Sequence, residues 1–395
     1  MQSAFLQYQK SEDRVRTQMA LESVFAEYHL ELLEKYEIFA RHGSEEVFQN
    51  RLAYYGADGI QHRIVKVEYL SDDGGLPFYQ QVVRYMKEWQ GISGSPLEKG
   101  IEFQEDTITK EENTILEELH SVWEEMEENH PIRYIQNLKK SSLLQLVGAD
   151  SEQLSNRALS LDETASHREL QKGALTMKQE EGAADRVLFQ TYVREYFHNY
   201  HTEESTHALA YEQEYLLGGF ASDRENLEAV CKKIIALRMV TNYVYLASNE
   251  QRRQEAEIMA TATSVLLQIP VPIEILQQGI LLAWSYGESI IDMRMLLKGK
   301  CIPYVKTDEN WQLQLSNLNK LGSEEEVVVE KEDEKGISYE LFLYSLLILE
   351  NKKTVSMRCL DLIEKNLNIK VDECYYAVEI QSTSKETFTT IFGYQ

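Results

Sequence analysis

Positive charge is what this chain has least of. Across 395 residues it carries 40 Lys and Arg against 65 Asp and Glu, a formal net charge of −25 with a pI near 4.8. Recognition of a phosphate backbone draws on clustered Lys and Arg, and no such cluster occurs, so no nucleic-acid partner is expected. An anionic membrane surface is disfavoured on the same ground. Cysteine is scarce as well. Cys231, Cys301, Cys359 and Cys374 lie far apart, with no Cys-x-x-Cys and no short metal-type spacing. That pattern points to four buried free thiols and not to a disulfide framework. No apolar run is long enough to span a bilayer, and no signal peptide precedes the first helix, so the chain as it stands is expected to be soluble. The P-loop, Gly-x-Ser-x-Gly and dinucleotide glycine patterns are missing, and no cofactor is expected.

What is present is a chain able to bury a large core, as one big domain or two intimately packed parts. Aromatic residues make up 10% of it, 23 of them Tyr, which rules out wholesale disorder. Its organising stretch runs from 271 to 297, apolar on nearly every face and therefore predicted to be a buried helix. Pro270 and Pro272 stand at its start, and Gly299 and Pro303 close it. Within that apolar run stand Glu288, Asp292 and Arg294.

In chain order, 1–41 reads as one long helix whose stripe of Leu21, Phe25, Tyr28, Leu32, Tyr36 and Phe39 faces a core, ended by Gly43. Its first half, through Lys10 and Arg16, is more polar. The alternation Ile64 to Leu70 predicts a half-buried strand, and Pro77 opens an amphipathic helix through Trp89. After a loop over 91–106, a helix with Ile115, Leu119, Val122, Trp123 and Met126 on one face carries eight Glu on a solvated one. No aromatic residue occurs between Lys139 and Asp185, a stretch expected to be a mostly extended, partly mobile surface excursion. A helix with Phe189, Tyr192, Val193, Tyr196 and Tyr200 follows. The alternation Ala208 to Leu217 then predicts a second long strand, with Glu212 and Glu214 on a solvated sheet face. Ser222 and Glu225 form a capping box for a helix through Leu246, and a further helix runs over 250–268. Gly322 to Gly336, around Val327, suits an exposed hairpin. Ser338 caps an apolar helix, a helix spans 354–367, and the chain ends in a β-hairpin.

Two groups of residues carry the chemistry. Glu288 and Asp292 sit one turn apart on one helix face, where burial and mutual repulsion push two carboxylates toward acid and base roles. The plainer reading, and the preferred one, is a buried network with Arg238 and Asn242, identically spaced on the preceding apolar helix. No catalytic residue is therefore assigned. In the second group, His198, His201 and His207 with Glu203 and Glu204 would hold zinc if they shared one helix face. Their spacing is not that of His-Glu-x-x-His, and the polar run after His201 gives His207 no reason to return to that face, so no metal is expected. The Tyr192, Tyr196, Tyr200 stripe is read as core packing and not as a sugar platform.

The stretches ESVFAEYHLELLEKYEIFA from Glu22, GGLPFYQQVVRYMK from Gly74, ALAYEQEYLLGGFASDRENLEAVCKKIIALRMVTNYVYLAS from Ala208 and LLAWSYGESIIDMRMLLKGKCIPYVKTDENWQLQLSNL from Leu281 carry a resemblance. The chain resembles an uncharacterised family of large surface proteins from anaerobic Gram-positive bacteria. That resemblance implies an N-terminal hydrophobic anchor similar to those of pilin-like and Tad-type pilus proteins. The anchor is missing from this sequence, which is then expected to be an ectodomain on the extracellular face of the membrane. The resemblance brings no established activity and no catalytic residue.

The expected fold class is α+β, mostly helical: a long N-terminal helix, a small antiparallel sheet joining 64–70, 208–217 and the terminal hairpin, and a large helical part with a buried central helix. The expected divisions are a stalk helix over 1–43, an α+β part over 44–221 with its excursion at 139–185, a helical part over 222–322, and C-terminal helices and hairpin over 323–395. The function expected is a noncatalytic surface ectodomain, a pilus-like assembly subunit or a scaffolding or adhesion protein with a protein partner. The alternative is an extracellular hydrolase using Glu288 and Asp292 or a histidine metal site.

Overall fold

The computed structural model describes residues 2–56, 60–89, 142–149, 154–177, 182, 184–202, 206–267, 272–323, 325–328, 331, 333, 335–383 and 387–394. The expected acidic helix around Leu119 and Trp123, and the loop over 91–106, lie outside them. The helices are α1 (Gln2–Phe25), α2 (Leu30–Tyr36), α3 (Glu45–Tyr55), α4 (Asp72–Trp89), α5 (Leu143–Leu146), α6 (Asp185–Tyr196), α7 (Glu212–Gly218), α8 (Asp223–Ser248), α9 (Glu250–Leu267), α10 (Ile273–Leu297), α11 (Tyr339–Leu349) and α12 (Lys352–Leu367). The strands are β1 (Arg41–His42), β2 (Gln61–Tyr69), β3 (Cys374–Thr383) and β4 (Thr387–Gly393). The fold is mostly helical α+β with one small antiparallel sheet. No described helix is long and apolar enough to cross a membrane. The four cysteines are free thiols, three of them buried.

The chain divides into two compact units, one of 1–101, 157–223 and 346–395, the other of 102–156 and 224–345. The chain crosses between the units at 101/102, 156/157, 223/224 and 345/346. The helix expected as a separate stalk belongs to the first unit, and 323–395 is shared between the two.

In the first unit β3 is the central strand. It pairs antiparallel with β2 on one edge, while β4 and then the short β1 line the other. Ala20, Leu21, Val24 and Phe25 of α1 and Phe48 and Leu52 of α3 bury against Tyr69, Tyr375, Val378 and Ile380 of the sheet. This is the apolar closure that a half-buried antiparallel sheet requires.

Three expectations for this unit are corrected. First, the N-terminal helix is not continuous to Arg41. It ends at Phe25, and α2 restarts with the His29 imidazole accepting from Leu32 N at 3.2 Å and stops at Glu37 in the left-handed region. His29 N donates to Ala40 O at 2.9 Å, so a turn replaces the predicted helical register. Leu21, Phe25, Leu32 and Tyr36 are buried as expected, but Phe39 is 37% exposed.

Second, 208–217 is not a strand: α7 begins at Glu212. The alternation of polar and apolar residues suggested one wet face, yet Glu212, Gln213 and Glu214 are all buried and hydrogen-bonded, so no wet face exists. Third, the described part of the predicted surface excursion is anchored. Leu159, Thr164, Ala165 and Leu175 are buried. Arg168 forks onto Asp372 at 2.6 and 2.9 Å and reaches Glu364 at 2.6 Å. Asp361 accepts from Ser166 N at 2.8 Å and Ser166 Oγ at 2.5 Å. Bidentate, charge-assisted bonds of this kind fix a segment that lacks regular secondary structure of its own.

In the second unit α9 packs along α10, and α8 reaches α10 through Arg238 and Asn242. From Gly279 to Leu297 α10 is buried at almost every position. At Gly287 a Cβ would stand 2.6 Å from Leu313 Cδ2, so the missing side chain lets the 311–321 segment lie directly on the helix. Among the described residues of 322–336 no strand forms, and Val327 is exposed; the expected hairpin reduces to an isolated bridge between Ile302 and Ile337.

Candidate functional site

The apolar periodicity of α8 and α10 brings their polar residues onto a common interior. Asp292 Oδ2 accepts from Arg238 Nε at 2.9 Å and Asn242 Nδ2 at 3.2 Å, and Asn242 also donates to Ser289 Oγ at 3.1 Å. Arg238 NH1 donates to Tyr304 O at 3.0 Å. The partner that sequence reasoning missed is Lys306, from the loop after Pro303. Its Nζ stands 2.6 Å from Glu288 Oε1 and 2.7 Å from Asp292 Oδ1, bridging the two carboxylates. Glu288 also accepts from the backbone N–H of Leu313 at 2.7 Å and Gln312 at 3.1 Å. Arg294, on the same helix, donates to Leu146 O at 2.5 Å and pairs with Glu326.

Two cations therefore face two carboxylates, with Glu288 and Asp292 at 0% exposure and Arg238 and Lys306 at 2%. Burial and the Asp292 charge push the Glu288 carboxyl up against the opposing pull of Lys306. Burial also opposes the Asp292 charge, but Lys306 and Arg238 outweigh it and hold Asp292 below the usual carboxylate range. Divergent carboxylates are the pattern of an acid and base pair. Here the pair has no exposed surface, with Lys306, Arg238, Asn242 and the Gln312 and Leu313 N–H groups against its oxygens.

The histidine group is arranged differently from the expectation. His198, just beyond α6, and His207, before α7, stack with ring centroids 4.3 Å apart and 11° from parallel. The chain from 198 to 212 turns back because His198 N–H donates to Glu212 Oε2 at 2.9 Å and Tyr200 N–H donates to Glu214 Oε1 at 2.9 Å. His207 thus does return to His198, and Glu212, expected on a solvated face, completes the group. His207 Nδ1 lies 3.0 Å from both Glu212 oxygens, and His198 Nδ1 lies 4.0 Å from Oε2. Burial, helped by the neighbouring His207 and Arg157 and opposed by Glu212, lowers the His198 imidazole. His201 is not part of this group; its ring lies against Tyr200 at 5.2 Å. Glu203 and Glu204 lie outside the described residues. The signal that could have placed Glu212 here is the pair of buried carboxylates in a supposed strand, which demand donors.

The tyrosine stripe offers no open platform. Tyr192 is fully buried, stacks on Tyr196 at 4.4 Å and donates to Tyr36 O at 2.6 Å, while Tyr200 has left the helix. A cleft of about 910 Å³ in the first unit is lined by Glu68, Asp72, His167, Lys353 and Arg358 among others. Burial there, reinforced by Asp72 and opposed by the Met177 N–H, pushes Glu68 up to about 7.

Residues 121–386, about two thirds of the sequence, match a family described as Family of unknown function (DUF5702). The chain belongs to this family. The matched span contains the α8–α10 cluster with Lys306 and the His198, His207 and Glu212 group, while the cleft residue Glu68 lies before it. No curated protein matches the sequence, and no solved structure matches it either.

Proposed function

We propose that the protein is a noncatalytic surface ectodomain, a scaffolding or adhesive subunit of the kind that a pilus-like assembly uses, displayed on the outer face of the cell membrane. One observation carries the noncatalytic part: Glu288 and Asp292 are sealed from solvent and neutralised by Lys306 and Arg238. A buried network of this kind serves to fix helix register, its best-attested use. The placement at the surface and the protein partner rest on the family resemblance of the sequence. An extracellular hydrolase is the second reading, favoured only by the grouping of His198, His207 and Glu212.

The test has two arms. Purified protein is assayed against chromogenic glycosides, esters and peptides, and intact native cells are treated with a protease that cannot enter them. The expected results are no turnover and loss of the protein from the cells. Saturable turnover abolished by Glu288→Gln at unchanged melting temperature would overturn the noncatalytic reading. Full protection in intact cells would overturn the surface placement.

A further inference from the structure

The structure assigns His198, His207 and Glu212 to a binding site for a zinc-like divalent cation, with three protein ligands and one position left for water. This goes beyond the surface reading and holds whether or not the protein is catalytic. Two imidazoles and a carboxylate match the ligand preferences of zinc, and three protein ligands with one open position are a recurrent zinc arrangement. One ligand atom from each of the three residues lies within 4.8 Å of the other two. A tetrahedral zinc holds its ligand atoms about 3.4 Å apart at bonds of about 2.0–2.1 Å, so closure is a side-chain movement on the order of 1 Å.

The groups behind the ligands support that movement. Glu212 has no exposed surface, and its Oε1 accepts from Asn366 Nδ2 at 2.8 Å. Asn366 Nδ2 also reaches Tyr36 Oη at 2.9 Å, and Asn366 Oδ1 accepts from Ala208 N, beside His207. The His207 carbonyl accepts from Arg157 NH1 at 2.8 Å, and the His198 carbonyl accepts from Gln213 N at 2.9 Å. The backbone of both histidines is thus pinned and the carboxylate oriented, which is the work of groups around a metal site. The histidine side chains are 30% and 24% exposed, so a cation reaches them from solvent. The Arg157 charge disfavours a cation; the buried carboxylate opposes it at closer range.

Stacked parallel imidazoles direct their in-plane lone pairs along separate planes. Binding must therefore tilt one ring and break the stack, and this gives the site its spectroscopic signature.

The experiment uses the whole chain. Calorimetry with zinc chloride is expected to show one equivalent bound with submicromolar dissociation. His198→Ala and His207→Ala are each expected to weaken binding at least ~100-fold, the upper end of what loss of a mere supporting group costs. His201→Ala is expected to leave it unchanged. Cobalt(II) should give the intense visible bands of a four-coordinate site. Titration of histidine-labelled wild-type protein, which needs no variant to fold, should shift the ring resonances of His198 and His207 and leave His201 in place. Weak nonsaturating uptake, binding retained in His207→Ala, or a shift confined to other histidines would overturn the assignment.

Discussion

Lys306 lies at 0% side-chain exposure between two carboxylates, so its charge is held entirely by Glu288 and Asp292. Breaking a buried pair by removing one partner typically costs about 3–5 kcal/mol, because the charge left behind is uncompensated. Lys306→Met is therefore expected to destabilise the protein by about that amount, whereas Lys35→Met, which removes an exposed pair with Glu31, should cost under ~1 kcal/mol. Urea unfolding followed by tryptophan fluorescence measures both, since Trp284 and Trp311 donate to Leu313 O beside the cluster. Equal midpoints for the two variants would show that Lys306 is not the keystone assigned here. Glu68 gives a pH dependence of known sign. Its folded pKa of about 7 lies above the ordinary 4.5, so the folded state keeps a proton that the unfolded chain has released. Its contribution to stability is then greatest below pH 4.5, falls as pH rises to about 7 and is flat above. Stability measured across that window for wild type and Glu68→Gln should differ by a term with that slope; a parallel pair of curves would refute it.

At the scale of elements, hydrophobic periodicity specified α10, α8, α9 and α12 within a few residues, because a long buried or amphipathic helix repeats its signal over many turns. It failed where polar residues are buried. Glu212 and Glu214 mimicked the wet face of a strand because their donors, the N–H groups of His198 and Tyr200, come from the preceding loop. The same holds for 154–177, whose anchor residues Arg168 and Ser166 find Asp372, Glu364 and Asp361 about 200 positions away in sequence. The first helix carries a prediction of its own. Thr17, Ala20, Leu21, Val24 and Phe25 are buried, while positions 7–15 are exposed or half-buried. Amides of the second half should exchange far more slowly than those before Arg16, by hydrogen exchange with mass spectrometry. Uniform protection along α1 would contradict the burial pattern.

At the scale of the whole molecule, a net charge of −25 sets the long-range field and draws cations to the surface without specifying where they bind. Specific binding requires the converging groups of a single site. The two units each close their own core, one around the β3 sheet and the other around α10, and the chain passes between them more than once. A sequence division into consecutive segments misses that arrangement, because contacts decide the units and contacts join distant stretches.

By itself the sequence determined the fold class, the buried central helix, the terminal hairpin and the pairing of Asp292 with Arg238 and Asn242. Each is written in local composition or in a helical or strand repeat. Only the tertiary structure decided that Lys306 bridges the carboxylates, that 208–217 contributes a helix to the core, and that His207 folds back onto His198 beside Glu212. Those outcomes depend on which donor meets which buried charge, and the free energy of that choice resides in contacts between residues far apart along the chain.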